Sequence, residues 1–295
     1  MAAATGWASD HDALSGHRAR RRLIDRAMTA VMIGAAVIGV IPLVLILFYL
    51  VKEGIPGLTP SLFTEDPRRL GLPGGGVRNS LIGSAIMVSV GTVIGVPVAV
   101  GCGIFMSEYG QNRLGTMFRF LVDVLAGIPS ITMGLFVYSL IVLPMERFSA
   151  FAGVIALAIL ILPIVARTTE EMLQLVPRAL REAALALGAP PWRTILTVIL
   201  PTAIPGIATG VLLGLARISG EAAPLMFTTL GNQFTSTDLF HAMDALPLRI
   251  FAYATAPYED WHQKAWAMSL ILVTFIFAVS AGIRWISRRG AAIRH

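Results

Sequence analysis

Six stretches of this chain are each apolar over such a length that lipid, not water, is their natural solvent. They fall at residues 28–51, 80–106, 121–143, 151–165, 203–226 and 267–286. Crossing a hydrocarbon core of roughly 30 Å takes about 20 apolar residues; the fourth stretch is short and reaches that length only by drawing on the loop before it. In lipid every backbone donor and acceptor must be satisfied internally, which leaves helices or a closed barrel. A barrel would alternate apolar and polar residues, so the expected fold is all-α and integral to the membrane, with six transmembrane helices. With 56% of its 295 residues hydrophobic and only 14% charged, the chain has too little polar surface for a soluble domain.

The formal charge of +6 does not point to nucleic acid, because the basic residues sit between apolar blocks instead of forming one stripe. They orient the chain instead. With the N-terminus inside, the inner segments hold 15 of the 23 Lys and Arg residues and the outer segments 7, with Arg217 left within a span. Both termini are therefore expected in the cytoplasm. The resulting boundaries are a basic arm at 1–27, expected to be disordered over 1–17, a first helix at 28–51, an external loop at 52–78, a helical domain at 79–287 and a cytoplasmic tail at 288–295. The first block is too long for the apolar part of a signal peptide and is kept as a helix. Cys102 is the single cysteine; it excludes a disulfide framework and reads as a buried inert thiol. His11, His17, His241, His262 and His295 show no ligand spacing, and no metal site is expected.

The inner segment 167–202 carries the most specific pattern. Glu182-Ala183-Ala184 is followed after three residues by Gly188, and after nine more by Val198-Ile199-Leu200-Pro201. Strong helix formers fill 179–187. Gly188 can take the left-handed conformation that closes a helix, and Pro190 and Pro191 suit the first turn of the next one. Two short helices meeting at a bend would form a knob, with small Ala183 and Ala184 allowing close approach and Glu182 as a charged anchor; an ordinary interfacial helical hairpin has the same composition. The spacing resembles the EAA loop of ABC importer permeases, whose pattern is E-A-A, three residues, G, nine residues, I-x-L-P, with Val198 as the one departure. The resemblance implies the type I, MetI-like permease core and a surface at about 179–201 on which a cytoplasmic ATPase docks, using Glu182, Ala183, Ala184, Gly188, Leu200 and Pro201. The chain has no GxxxxGK[ST] loop, and its only lysines, Lys52 and Lys264, do not follow Gly-rich turns. It is expected to be a transporter subunit and not an enzyme, without cofactors of its own, leaving ATP and Mg to the partner ATPase.

Arg217 is the second feature. About 14 residues into the fifth block, it would sit roughly 21 Å along that helix, near mid-membrane, where an Arg is costly and seldom faces lipid. Glu221 lies one turn on, on the same face. The pair reads either as a structural ion pair or as an Arg fork for a tetrahedral oxyanion such as phosphate or sulfate, with Glu221 holding the fork and accepting from a proton-bearing oxygen. The run from Ala216 to Thr228, the stretch Leu125-Ala126-Gly127-Ile128-Pro129-Ser130, and the outer-loop stretches Ala245-Leu246-Pro247 and Trp261 to Trp266 resemble the PstA family of phosphate-transport permeases, a likeness that runs from about Gly75 to the C-terminus. It implies pairing with a PstC-like permease, two PstB-like ATPases and a PstS-like phosphate-binding protein, in a bacterial plasma (inner) membrane. A permease for another oxyanion, such as molybdate or phosphonate, is the nearest alternative. A membrane lipid-phosphate transferase and a passive channel are further ones; the first would want an acidic metal-binding cluster, and the second has no use for an ATPase dock.

Pro129 interrupts the third helix, and Ser130 would offer its hydroxyl to the path or merely follow a kink. Asp123 is expected to cap that helix, and Glu170-Glu171 to form a solvated helix face. Gly74-Gly75-Gly76 is expected to be a flexible approach to the second span, capped by Asn79 or Ser80. In the long outer loop, 227–266, Phe251, Tyr253, Tyr258 and Trp261 read as interface anchors or loop core, with a rest for a binding protein as the rival role.

Overall fold

The computed structural model describes residues 6–68, 74–110 and 112–292. Among these there is no strand, only an isolated antiparallel bridge between Pro67 and Gly75. The chain divides into two units, Met1–Lys52 and Glu53–His295. The first is the greater part of helix α1 (Gly6–Gly54); with the single turn Ile55–Gly57 that follows it, the stretch Ile24–Gly57 is long and apolar enough to span a membrane. Residues 6–17, expected to be disordered, belong to this helix. Ala and Arg, frequent over 8–30, are good helix formers. Residues 1–5, Arg69 and the tail residues 293–295 lie outside the described residues.

The second unit contains α2 (Arg78–Tyr109), α3 (Arg113–Gly127), α4 (Ser130–Met145), α5 (Ala150–Gln174), α6 (Arg178–Ala186), α7 (Pro191–Ser219), α8 (Ala223–Thr228), α9 (Leu246–Ala254) and α10 (Glu259–Ala292). Helices α2, α4 and α7 each include one π turn, at Phe105–Tyr109, Tyr138–Val142 and Ile195–Ile199. With α1, the spanning candidates are α2, α5, α7 and α10, and a sixth if α3 and α4 count as one span bent by 105°. The protein is thus a multi-pass, all-helical membrane protein.

Helix α5 is the centre of the packing. On α2 the buried positions recur every four residues, Gly83, Met87, Gly91, Gly95, Ala99 and Gly103, and this stripe of small residues lets two backbones approach closely. A Cβ on Gly95 would come within 2.5 Å of Ile161, and one on Gly103 within 2.6 Å of Thr169, so α2 and α5 run parallel. A second stripe, Gly206, Gly210 and Gly214 on α7, meets Met172, Thr168 and Ile161 in that order, so α7 runs antiparallel to α5. In lipid, where apolar burial between helices gains little, such close contact is a main source of association.

Four expectations about the elements change. The third block is two helices, because Pro129 has no amide proton and Ile128 before it is held extended (φ −72°, ψ 129°). The short fourth block gains its length at the far end, running to Gln174, since Arg167 and Glu170 are paired rather than solvated. The fifth is shifted: α7 starts at Pro191 and stops at Ser219, where Gly220 and then Pro224 break the run. The triple glycine is a fastened turn, with left-handed Gly74 and Gly75 (φ 86° and 79°) and the Gly76 amide donating to Asp66 O at 3.2 Å.

Candidate functional site

The Glu182–Pro201 segment forms a projecting bend. Helix α6 closes with left-handed Gly188 (φ 81°), whose amide donates to Leu185 O at 2.9 Å, while the Ala189 amide reaches back to Ala184 O at 3.2 Å. These are the two bonds of a Schellman cap, which satisfies carbonyls that a helix end leaves open. Glu182 and Ala183 are exposed, as are Leu185, Leu187 (89%) and Trp192. Ala184 is buried, and a Cβ on Gly188 would meet nothing within 4 Å. The second arm is not a separate short helix: Pro191 begins α7 itself, so Leu200 and Pro201 lie half-buried inside a span, with Leu200 packed on the apolar cluster that includes Leu173 and Ala203. The predicted docking residues therefore divide into an outward set, Glu182, Ala183 and Gly188, and an inward set, Ala184, Leu200 and Pro201.

Arg217 sits in the last turn of α7, not at its middle, because that helix ends sooner than expected. Its Nη2 is 3.5 Å from Glu221 Oε1, and the arginine side chain is 51% exposed against 15% for the carboxylate. Glu221 follows the helix end, so the pair is carried by the Gly220 break rather than by one continuous helical face. Ser130 opens α4 directly after Pro129 and is half-buried. Helices α4 and α8 meet closely at Gly134, where a Cβ would come within 2.6 Å of Pro224. That contact seats the start of α8, just after the Gly220 break, against α4, which opens at the Pro129 break.

A second charged cluster has no counterpart in the sequence reading. Glu170 is 3% exposed and accepts from Arg119 Nε at 2.5 Å and Arg167 Nη1 at 2.9 Å. Arg119 also donates to the carbonyls of Gly110 (2.8 Å) and Met106, and Arg167 grips both oxygens of Asp123. Glu170 is therefore not on a solvated face. Asp123 is no cap either; it lies past the middle of α3, whose N-cap is Asn112, accepting from the Gly115 amide at 2.9 Å. On α6, Arg181 donates to Glu108 and to Leu173 O at 2.8 Å. The sequence signal for these groups was their charge within or beside apolar blocks, but partners 51 or 73 residues apart cannot be matched from spacing.

At the opposite end, Asn79 and Ser80 do not cap α2, whose N-cap is Val77. Both donate to the buried Asp244 carboxylate, which also accepts from Arg249 Nε at 2.7 Å. Burial pushes the Asp244 carboxyl up, against the opposing pull of Arg249 and Ser80. Tyr253 stacks on Trp261 at 4.4 Å and Tyr258 packs on the same ring at 5.0 Å, so these aromatics are loop core, while Phe251 is exposed.

A small-residue helix bundle with a projecting EAA bend has its counterpart among known proteins. Residues 99–291 match the family described as "Binding-protein-dependent transport system inner membrane component". The chain belongs to this family. Within it, the chain is 45% identical over 264 residues to the phosphate transport system permease protein PstA of Yersinia pestis, covering 89% of this chain and 90% of that one. It is 46% identical over 270 residues to PstA of Xylella fastidiosa (90% and 93% covered) and 37% identical over 278 residues to PstA 1 of Mycobacterium tuberculosis (92% and 91%). Its fold is similar to a chain of the inward-facing MetNI methionine ABC transporter, with a TM-score of 0.58 at 20% identity over 72% of this chain and 92% of that one. As a family member, the chain is a transport permease component of the MetI-like fold.

Proposed function

We propose that this chain is a membrane-spanning permease subunit of an ATP-driven importer of inorganic phosphate in the bacterial plasma membrane, with both termini in the cytoplasm. The observation that carries the reading is the half-exposed Arg217 fork at the broken end of a membrane helix, held only loosely by Glu221. The names of its relatives at 37–46% identity support phosphate as the cargo. An Arg fork offers a tetrahedral oxyanion two parallel charge-assisted hydrogen bonds. Glu221 holds the fork in the empty state and accepts from the P–OH of a protonated phosphate, a bond that a fully ionised sulfate cannot make. Ser130, at the facing break, adds a hydroxyl.

Energy comes from outside the chain, which has no nucleotide-binding loop of the GxxxxGK[ST] type. A PstB-like ATPase pair, holding ATP and Mg, would receive the Gly188 bend in a cleft, with Leu187 and Trp192 as apolar contacts and Glu182 as the anchor. A PstC-like permease completes the path, and a PstS-like protein delivers phosphate. Closure of the ATPases moves the bend, and alternating access follows from the motion of the helices attached to it.

The test is uptake in cells lacking their own phosphate importer, with the partner subunits supplied. Phosphate uptake that phosphate competes for and molybdate, phosphonate and sulfate do not is the expected result. Transport of one of those anions in its place overturns the cargo. A bulky charged residue at Gly188 should abolish co-purification of the ATPase; intact binding would place the dock elsewhere.

A further inference from the structure

Among the described residues, the bend that would receive the ATPase is tied to the helix core by a half-buried ion pair, and the chain on either side of that pair is built to yield. Arg181 on α6 donates to Glu108, and its other amino group donates to Leu173 O at the end of α5. The Glu108 side chain is 9% exposed and also accepts from Ser107 Oγ at 3.2 Å. One side chain of the bend therefore grips both α2 and α5, the parallel pair at the centre of the packing. Glu108 lies in the π turn that ends α2, and a second π turn, Ile195–Ile199, follows α6 at the start of α7. A π turn is an insertion of one residue into the helical ladder, and such turns recur at functional sites.

Between these turns lies a cavity of about 170 Å³, lined by Glu108, Tyr109, Arg181, Leu185, Thr194 and Ile195 among others. The Thr194 side chain is 2% exposed and its hydroxyl has no hydrogen-bond partner among the described residues. Buried hydroxyls are nearly always paired, so an orphan beside a carboxylate and a void marks an arrangement in which it finds a partner. Thr194 shares the cavity with Glu108, and the void gives α6 room to shift.

We infer that the Arg181–Glu108 pair is the linkage that transmits movement of the bend into α2 and α5, with the Thr194 hydroxyl as the alternative donor to Glu108 when α6 is displaced. Arg181 and Glu108 are positioning residues: they touch neither phosphate nor ATP. The inference rests on the reading of the bend as the ATPase dock. It distinguishes holding the ATPase, which belongs to the exposed residues, from using its stroke, which belongs to this pair.

The experiment uses the complete complex, with partner permease, ATPases and binding protein, reconstituted in vesicles, and reads phosphate imported per ATP hydrolysed. Arg181→Gln and Glu108→Gln should leave ATPase co-purification and ATP hydrolysis within about twofold of the native complex, while import per ATP falls on the order of tenfold. A purely structural pair would instead lower the amount of complex and leave the ratio unchanged. The reversed pair, E108R with R181E, should recover a third or more of the native ratio. Thr194→Val, which keeps shape and removes the donor, should lower the ratio about threefold. An unchanged ratio in both single variants overturns the inference. Loss of ATPase binding in Arg181→Gln also overturns it, by making Arg181 part of the dock. If that variant fails to assemble, Arg181→Lys and Thr194→Val carry the test, and native ratios in both overturn it. Failure of the dock reading shows separately, as intact ATPase binding in the Gly188 variant.

Discussion

Two arginine–carboxylate clusters lie on the membrane-spanning helices, built from the same groups to opposite effect. Around Glu170 the charges are spent. Its carboxylate is buried and held by two arginines, and these are further committed to Asp123 and to backbone carbonyls. Around Arg217 the charge is left available: one contact at 3.5 Å, with half the arginine side chain uncovered. A charge that costs several kcal/mol to place in a membrane can be fully paired, in which case it fixes helices, or left half-paired, in which case something outside the chain completes it. Coordination, more than residue type, separates scaffold from candidate transport group.

The sharpest way to break this comparison is at Arg217. Arg217→Gln removes two charge-assisted hydrogen bonds to the anion, about 3 kcal/mol, and should lower phosphate uptake about 100-fold with normal amounts of assembled protein. Native uptake in that variant would make the pair structural, like its counterpart. Glu170→Gln should do the reverse. Leaving two guanidinium groups underpaired costs about 2 kcal/mol, less than a fully buried pair because both arginines are about a third exposed. The measurement is the melting temperature of the purified complex, which should fall while uptake per assembled complex stays within a few-fold; loss of uptake from a stably folded complex would erase the distinction.

Two smaller effects sharpen it outside the charged clusters. Gly188→Ala puts a Cβ into open space but on a left-handed backbone, a cost of about 1 kcal/mol borne by the bend alone. Melting should drop slightly and ATPase binding weaken, and a larger drop than that of Glu170→Gln would show that the bend is part of the folding core. The smallest effect belongs to Asp66, which pairs with Arg78 at 3.1 Å and accepts from Thr235 Oγ1 at 2.6 Å. Burial raises its carboxyl, but Thr235 and Arg78 outweigh that and hold it below the usual carboxylate value. A depressed pKa means stability present above the ordinary carboxylate value and lost as pH falls through the lower folded one. Asp66→Asn should cost about 0.5 kcal/mol at pH 7, as for other partly exposed pairs, and flatten that acid limb.

Much of the fold was legible because lipid leaves so few choices. Blocks of apolar residues had to be helices, and the EAA spacing placed Gly188 at a helix end, where it closes a Schellman cap. What escaped was decided by single residues or distant pairs. Pro129 reads in the sequence as a kink, but a Pro can bend a helix or end it, and only the extended backbone of Ile128 shows that it ends here. The fifth span was extended through Gly220 because the apolar run continues, although the helix does not. Glu170, Asp123 and Arg181 were misread or passed over because a charge near a block end looks solvated until its partner on another helix is known. Arg217 and Glu221 were found together only because they are one turn apart.

Helix α7 is continuous from Pro191, beside Gly188, through its π turn at Ile195–Ile199 to the turn that holds Arg217. The 26 residue steps from Pro191 to Arg217 make a rod of about 39 Å. A rod is a length multiplier: rocking it by about 5° about its Pro191 end swings the far tip by about 3.4 Å, more than the length of a hydrogen bond. Gripping and releasing an anion at Arg217 therefore needs no local rearrangement there. The same tilt breaks both bonds at once and slides the glycine stripe of α7 by about 2 to 3 Å against α5.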